Sequence, residues 1–362
     1  MDKLLMSKKF HSLRPLENKK IPAEGTIRKV SRSLFAHGED VVSCSDVALR
    51  KCLRIGNIPE LHHGDIVKIF ADGNVLRLWD VTSPHNCLFV TSVCNFRCVM
   101  CPQPPQAEQE KHHQTNLRIL ELLEPDTVEV MAITGGEPTL FPDRLVEYFD
   151  IICRKFPTAK VDVLTNGSPL SDFDTAKRLA LSAPLNTCYC VSVHGDTAAL
   201  AESVMHCPGG WDKAMRGLNN LAKLHQQIEI RYVLTQKSVP YLRDIALFFY
   251  RNFPFVSHIA LMGQEIIGLA EENYEETWVE PMSYIKDLAA AAEYLDLMNM
   301  NVSIYNIPLC LLPESCHKMA VRSISDWKQN YRPECQGCKK LDECCGFFTT
   351  SRNYIPQGIT PF

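Results

Sequence analysis

The sequence predicts an α/β protein built on a parallel sheet or partial barrel. A small, partly β region precedes it and a cysteine-rich module follows it. Three observations predict this. Six short apolar runs recur between residues 86 and 263, each short enough to be a buried strand. The stretches between them repeat their apolar residues with a period near 3.6, as helices do. Beyond residue 300 the composition shifts, with six cysteines in fewer than 50 residues.

The elements follow in order. Residues 1–84 are read as the N-terminal region. Within it, Val67 and Ile69 alternate with Lys68 and Phe70, Asp72-Gly73 supplies a turn, and Val75, Leu76 and Leu78 resume, which is a hairpin pattern. Residues 85–299 form the core. Its predicted strands are 86–91, 128–134, 160–166, 188–195, 228–235 and 258–263. Leu145, Phe149, Ile152 and Phe156 mark one face of an intervening helix, and a long Ala/Leu-rich helix is predicted over Pro281–Met298. Residues 300–362 are read as a separate C-terminal module. Right-handed β-α-β connections place all six strand C-termini on one rim, where the functional loops of such folds gather.

Composition narrows the function. Across 362 residues, 46% are hydrophobic and 22% charged, ordinary for a globular chain, and the net charge of −4 gives no general pull toward nucleic acid or anionic lipid. Residues 1–32 carry nine Lys/Arg against three Asp/Glu, which reads as a solvated arm or as a contact surface for an acidic peptide. No secretory signal pattern is visible and no apolar run reaches the ~20 residues needed to cross a bilayer, so a cytoplasmic location is expected. Disulfides do not persist there, and the 16 cysteines therefore point to metal or redox chemistry.

"SVCNFRCVMCPQPP" places Cys94, Cys98 and Cys101 in a C-x3-C-x2-C array on the loop after the first strand. Thiolates hold soft metals and iron–sulfur clusters. A closed structural zinc site would want a fourth ligand, for which His112 or His113 is the candidate. An open fourth position is instead where a substrate or cofactor binds. "GGEP", Gly135 to Pro138, follows the second strand and lands on the same rim. Alone it reads as a strand-to-helix turn.

Together, the cysteine triad and "GGEP" some 35 residues later resemble the radical S-adenosylmethionine (SAM) superfamily over about 86–300, implying a (β/α)6 TIM-like partial barrel. The resemblance implies a [4Fe–4S] cluster on Cys94, Cys98 and Cys101, with the amino and carboxylate groups of SAM on the fourth iron. It implies reductive cleavage of SAM to a 5′-deoxyadenosyl radical that takes a hydrogen atom from substrate. Carbonyls near Gly136 and Glu137 would meet the SAM amino group, with Gly135 and Gly136 allowing close approach and Pro138 fixing the turn. Ser192 matches a position that binds the SAM ribose or carboxylate. Arg231 suits a carboxylate or a structural ion pair, and Asn166 suits the cofactor or a plain turn. His194 is expected to face the cofactor or to end its strand with a hydrogen bond. Met100 stands where the family usually has an aromatic residue packed on adenine, which implies altered adenine packing.

Cys335-x2-Cys338-x5-Cys344 is a second compact array. It is read as a second [4Fe–4S] cluster, closed by Cys310 from "NIPLCLLP", with Cys316 and Cys345 as alternates and structural zinc as the competing reading. Cys345 takes the place of the glycine expected after the last ligand. "NIPLCLLPE", "SISDWK" and the terminal cysteines resemble the His-Xaa-Ser system radical SAM maturases, in particular the HxsC branch. That resemblance implies a ribosomally made precursor peptide as substrate, an electron donor such as flavodoxin or ferredoxin, and a possible partner maturase. Among the remaining cysteines, Cys87, Cys153, Cys188 and Cys190 are expected to be buried hydrophobes. Two other functions stay open: the same chemistry on RNA or a small metabolite, and a non-catalytic zinc or iron–sulfur protein. The lack of a Lys/Arg stripe with interleaved aromatics counts against RNA. "GGEP" counts against a non-catalytic protein.

Overall fold

The computed structural model describes residues 24–29, 34–37, 40–43, 53–54, 61–69, 75–109, 111–322, 329–351, 354 and 356–362. The basic start over 1–23, the Asp72-Gly73 turn, Cys44, Cys52 and "SISDWK" lie outside the described residues.

The N-terminal region forms a sheet of β1 (Glu24–Lys29), β2 (Leu34–His37), β3 (Asp40–Ser43), β4 (Leu53–Arg54), β5 (Ile66–Ile69) and β6 (Val75–Trp79). Its order is β4-β3-β2-β1-β5-β6. The expected hairpin is present as β5 and β6, antiparallel from Ile69 opposite Val75. Ile66 and Trp79 are buried in the same apolar cluster as the core of the following domain.

That domain alternates strand and helix, as the apolar runs predict. Its strands are β7 (Cys87–Phe89), β8 (Val130–Thr134), β9 (Lys160–Thr165), β10 (Thr187–Ser192), β11 (Gln227–Val233) and β12 (His258–Met262). Between them run α1 (Lys111–Leu122), α2 (Pro142–Lys155), α3 (Phe173–Ser182), the pair α4 (Ala198–Met205) and α5 (Gly210–Lys223), and α6 (Leu242–Asn252). Every neighbouring pair from β7 to β12 is parallel. Two short helices, α7 (Leu269–Glu272) and α8 (Tyr274–Thr277), lead into the expected long helix, α9 (Pro281–Leu297).

The sheet does not stop at residue 299. β13 (Val302–Tyr305) pairs parallel with β12, and β14 (Ala320–Val321) pairs with β13, giving eight strands in sequence order. The C-terminal segment thus begins inside the barrel wall. It ends in a small hairpin of β15 (Gln329–Asn330) and β16 (Phe347–Phe348).

Strands β9 and β11 are two-faced. Val161, Val163, Ile228, Ile230 and Tyr232 are fully buried on the helix side, each worth about 1.5–3 kcal/mol of apolar burial. The alternate residues Asp162, Leu164, Glu229, Arg231 and Val233 are half-buried and face the concave side. A parallel sheet covered on both faces would read as continuous apolar runs; here the inner face is mixed, with Asp162, Glu229 and Arg231 set among apolar residues such as Leu164 and Val233. Glu229 anchors it. Its carboxylate accepts from Arg231 Nε at 2.6 Å and lies 2.8 Å from His258 Nδ1, whose Nε2 is 2.9 Å from Ser303 Oγ. Burial alone would raise the Glu229 pKa, but these partners hold it down to about 2.

The scattered cysteines divide. Cys188 and Cys190 are buried, as expected, whereas Cys87 and Cys153 are exposed. Cys87 lies on β7, the edge of the sheet, where neighbours are missing on one side. Cys153 sits on the outer side of α2.

Candidate functional site

The cysteine loop and the "GGEP" loop are bonded to each other at the rim. Gly136 N donates to Thr91 O and Glu137 N to Val93 O, both at 2.8 Å. Side chains are excluded at this contact. A Cβ on Gly135 would lie 2.6 Å from Thr91 O, and one on Gly136 would lie 2.6 Å from the Val93 carbonyl carbon. The glycines therefore serve to bring two backbones together, as well as to leave room for a ligand.

Glu137 is fully buried and works beneath the rim. Its carboxylate accepts from Thr139 N (3.0 Å), Thr139 Oγ1 (2.6 Å), Thr165 Oγ1 (2.7 Å) and Asn166 N (2.6 Å). Burial raises its pKa against the pull of these four donors. Glu137 thus clasps the end of β8 to the end of β9. Pro138 opens the short 3-10 turn that follows and is also buried.

One cavity of about 420 Å³ gathers the remaining predicted residues. Cys94, Cys98, Met100 and Cys101 line it from the first loop, Gly135 and Gly136 from the second, and Asn166, Ser192 and Arg231 from the next three strands. Ser192 and Arg231 are register partners on β10 and β11. Arg231 makes the structural ion pair with Glu229 and also lines the cavity. Asn166 is more than a turn residue. Its amide donates to Asn95 Oδ1 at 2.9 Å and approaches Cys94 Sγ at 3.8 Å. Met100 is 7% exposed and packs with Val99, Val204 and Ala270. His112 is 3.3 Å from Ser92 Oγ and His113 is 2.8 Å from Tyr148 Oη; neither lines the cavity, which leaves three sulfurs without an imidazole from α1.

The donor set fits a cluster held by three thiolates. Burial raises the thiol pKa of Cys94 to about 11, and burial followed by the two sister thiols raises that of Cys98 further. Metal binding must displace those protons, and the cation then supplies the charge that makes clustered thiolates stable. His194 lies alongside, with Nε2 4.0 Å from Cys98 Sγ. Burial lowers its pKa to about 4, so the imidazole is neutral at physiological pH, and its Nδ1 has no partner among the described residues.

A second, much smaller cavity is lined by Cys310, Cys335, Cys338 and Cys344. These are the four cysteines chosen from the sequence. The alternates are elsewhere: Cys316 is buried in the main apolar core, and the Cys345 thiol is buried and donates to Gly346 O at 3.3 Å. The Cys344 sulfur accepts from the backbone N–H groups of Leu309 and Gly346, both at 3.4 Å. The Cys345 thiol and these two donors hold its pKa down to about 6. Four sulfurs lining one cavity, with the Cys344 thiol pKa held down, suit the ligand set of a closed cluster.

Sequence reasoning missed Gln264, Phe348 and Asn306 in the larger cavity, and Asn95, which donates to Ser168 Oγ at 2.7 Å. No spacing pattern marks them, because each reaches the site through a loop whose path only the fold defines. Among the described residues, no helix is long and apolar enough to cross a membrane.

Comparison with known proteins agrees with this geometry. Residues 88–237 match the Radical SAM superfamily. Over 160 residues, 42% of this chain, the sequence is 25% identical to the molybdenum cofactor biosynthesis protein moc-5 of Caenorhabditis elegans, of which it covers 25%. The chain therefore spans about a quarter of the length of that curated relative. A solved structure of native anSMEcpe with bound AdoMet and Kp18Cys peptide has a TM-score of 0.53 at 17% identity, covering 76% of this chain and 91% of that one. Streptococcus suis SuiB bound to S-adenosylmethionine has a TM-score of 0.48 at 14% identity, covering 63% of this chain and 51% of SuiB. Over residues 88–237 this chain is thus similar to the radical SAM superfamily, a match that implies a [4Fe–4S] cluster and S-adenosylmethionine as its cofactors.

Proposed function

We propose that this chain is a radical SAM maturase that modifies a ribosomally made peptide, with His-Xaa-Ser repeats as the expected substrate. The observation that carries this reading is the pair of sulfur-lined cavities, one with three cysteines and one with four. Cys94, Cys98 and Cys101 hold the cluster that SAM completes, and Cys310, Cys335, Cys338 and Cys344 hold a second, coordinatively full [4Fe–4S] cluster. When bound, the first cluster and SAM supply one-electron cleavage of the sulfonium and hydrogen-atom abstraction from substrate. The chain's own residues position and enclose. The Gly135–Gly136 backbone receives the amino group of SAM, Ser192 and Arg231 take the ribose and carboxylate, and Met100 lies against the adenine. The neutral His194 and apolar Phe96 beside the triad keep water off it.

The peptide assignment is supported by the match to anSMEcpe, a structure that holds both AdoMet and a peptide. The similarity to moc-5 favours a second reading, a small metabolite as substrate. Electrons would come from a flavodoxin- or ferredoxin-type donor, and a partner maturase is compatible with the small substrate. The Cys338→Ala variant tests the two-cluster reading. Reconstituted without oxygen, the wild type should hold about eight irons and the variant about four. With dithionite and SAM the variant should still release 5′-deoxyadenosine, yet leave a His-Xaa-Ser peptide unmodified by mass spectrometry. Stoichiometric zinc in the wild type, with no iron, would overturn the catalytic reading.

A further inference from the structure

A third, small space of about 40 Å³ lies between the two sulfur-lined cavities and shares walls with both. Gly263, Gln264, Asn306 and Phe348 line both it and the SAM cavity. Pro308, Gly346 and Phe347 line both it and the four-cysteine cavity. Gln264 therefore lies in the wall between the SAM cavity and this small space.

Gln264 is only 8% exposed, and neither its amide nitrogen nor its oxygen has a hydrogen-bond partner among the described residues. Buried carboxamides are normally satisfied, and an unpaired one is destabilising. The neighbours do not relieve it. Asn306 directs its amide to Gly263 O at 3.2 Å, and Glu265 accepts from Thr350 Oγ1 at 2.8 Å. The backbone on either side is fixed, with Gly263 N bonded to Tyr305 O and Leu269 N to Cys101 O, each at 2.9 Å. Gln264 is thus held in place with its hydrogen-bonding capacity unused, facing a cavity.

The chemistry of the side chain selects the ligand. A primary carboxamide presents a donor and an acceptor side by side. An extended peptide offers the complement, since the N–H and C=O of one residue point to the same edge of the strand. The adjoining pocket is walled by Trp278, Tyr284, Phe347 and Tyr354, surfaces that take flat or apolar side chains and carry no charge. We propose that Gln264 binds the backbone of a peptide substrate, pairing with the N–H and C=O of one residue at the wall of the SAM cavity. This rests on the peptide-maturase reading and adds the residue that sets the register of the substrate.

The test uses the reconstituted holoenzyme, a fluorescent synthetic peptide of His-Xaa-Ser repeats, and a series in which each backbone amide in turn is replaced by an ester. The Gln264→Met variant keeps the volume and removes both hydrogen bonds. It should melt no lower than the wild type and bind SAM within about two-fold by calorimetry, while binding the peptide about ten-fold more weakly. One ester position should weaken wild-type binding about ten-fold and cause no further loss in the variant. Three results would each overturn the assignment: a fall in SAM affinity, which makes Gln264 a cofactor residue; a lower melting temperature or failure to fold, which makes it structural; or equal ester penalties in both proteins. A wild type that cleaves SAM but binds no peptide overturns the peptide reading and this inference together. Peptide binding without coupling overturns this inference alone.

Discussion

The Cys98→Ala variant is expected to release no measurable 5′-deoxyadenosine, a loss of more than about a hundred-fold and beyond what changes around a metal site usually cause. Cys98 is the middle sulfur of the triad. Its pKa is raised by burial and then by both sister thiols, and all three sulfurs line one cavity. Removing it leaves Cys94 and Cys101 with two corners of a cluster and no third thiol on the same loop. The backbone of that loop does not depend on the sulfur: Arg97 N and Val99 N bond to Met205 O and Val204 O at 3.1 and 2.9 Å. The variant should therefore fold, keep its second cluster and lose about four irons. SAM cleavage within ten-fold of wild type would exclude the triad from the reaction.

The Gly136→Ala variant should suffer in a different way. The added methyl would fall 2.6 Å from the Val93 carbonyl carbon and 3.1 Å from Cys94 N, and both obstacles are backbone. The two loops must part, breaking the hydrogen bonds Gly136 N to Thr91 O and Glu137 N to Val93 O. A loss of about 2–4 kcal/mol is expected for the metal-free protein in denaturant unfolding, together with loss of SAM binding in the reconstituted one. Gly209→Ala is the contrasting variant. Gly209 has φ +71° but nothing within 4 Å of its added Cβ. It should cost only about 1–2 kcal/mol, from the left-handed backbone, and should leave SAM affinity unchanged. Equal effects from the two substitutions would show that the loop contact does not hold the site.

The parts of this molecule that were legible in the sequence are those encoded locally. Cys94, Cys98 and Cys101 lie within eight residues of one another, and "GGEP" follows the next apolar run, so strand order alone brought them to one rim. Cys310 was separable from Cys316 only by its place between prolines; in the fold Cys316 turns into the apolar core, while Cys310 lines the small sulfur cavity. What the sequence hid was settled at long range. β13 is four residues long and sits within the cysteine-rich segment, where composition suggested a new module; its identity as a strand comes from pairing with β12. Glu137 was assigned through its carbonyl, yet its side chain proves to be the clasp between β8 and β9, a role that depends on Thr165 and Asn166 across the sheet. Gln264 carries no motif at all, since an unpaired amide is recognisable only once its surroundings are known.

The two-faced strands have a consequence for assembly. A parallel sheet is made of contacts distant in the chain, so its strands must find one another late and could settle out of step. A slip of one residue in β9 or β11 exchanges the two faces. Asp162, Glu229 and Arg231 would then be driven against the helices while Val161, Ile230 and Tyr232 turned to the lumen. Each charge stranded without its partner is penalised by several kcal/mol. The charged lining that makes the barrel interior receptive to a polar ligand thus also acts as a proofreading device, rejecting misaligned sheets before the rim can form.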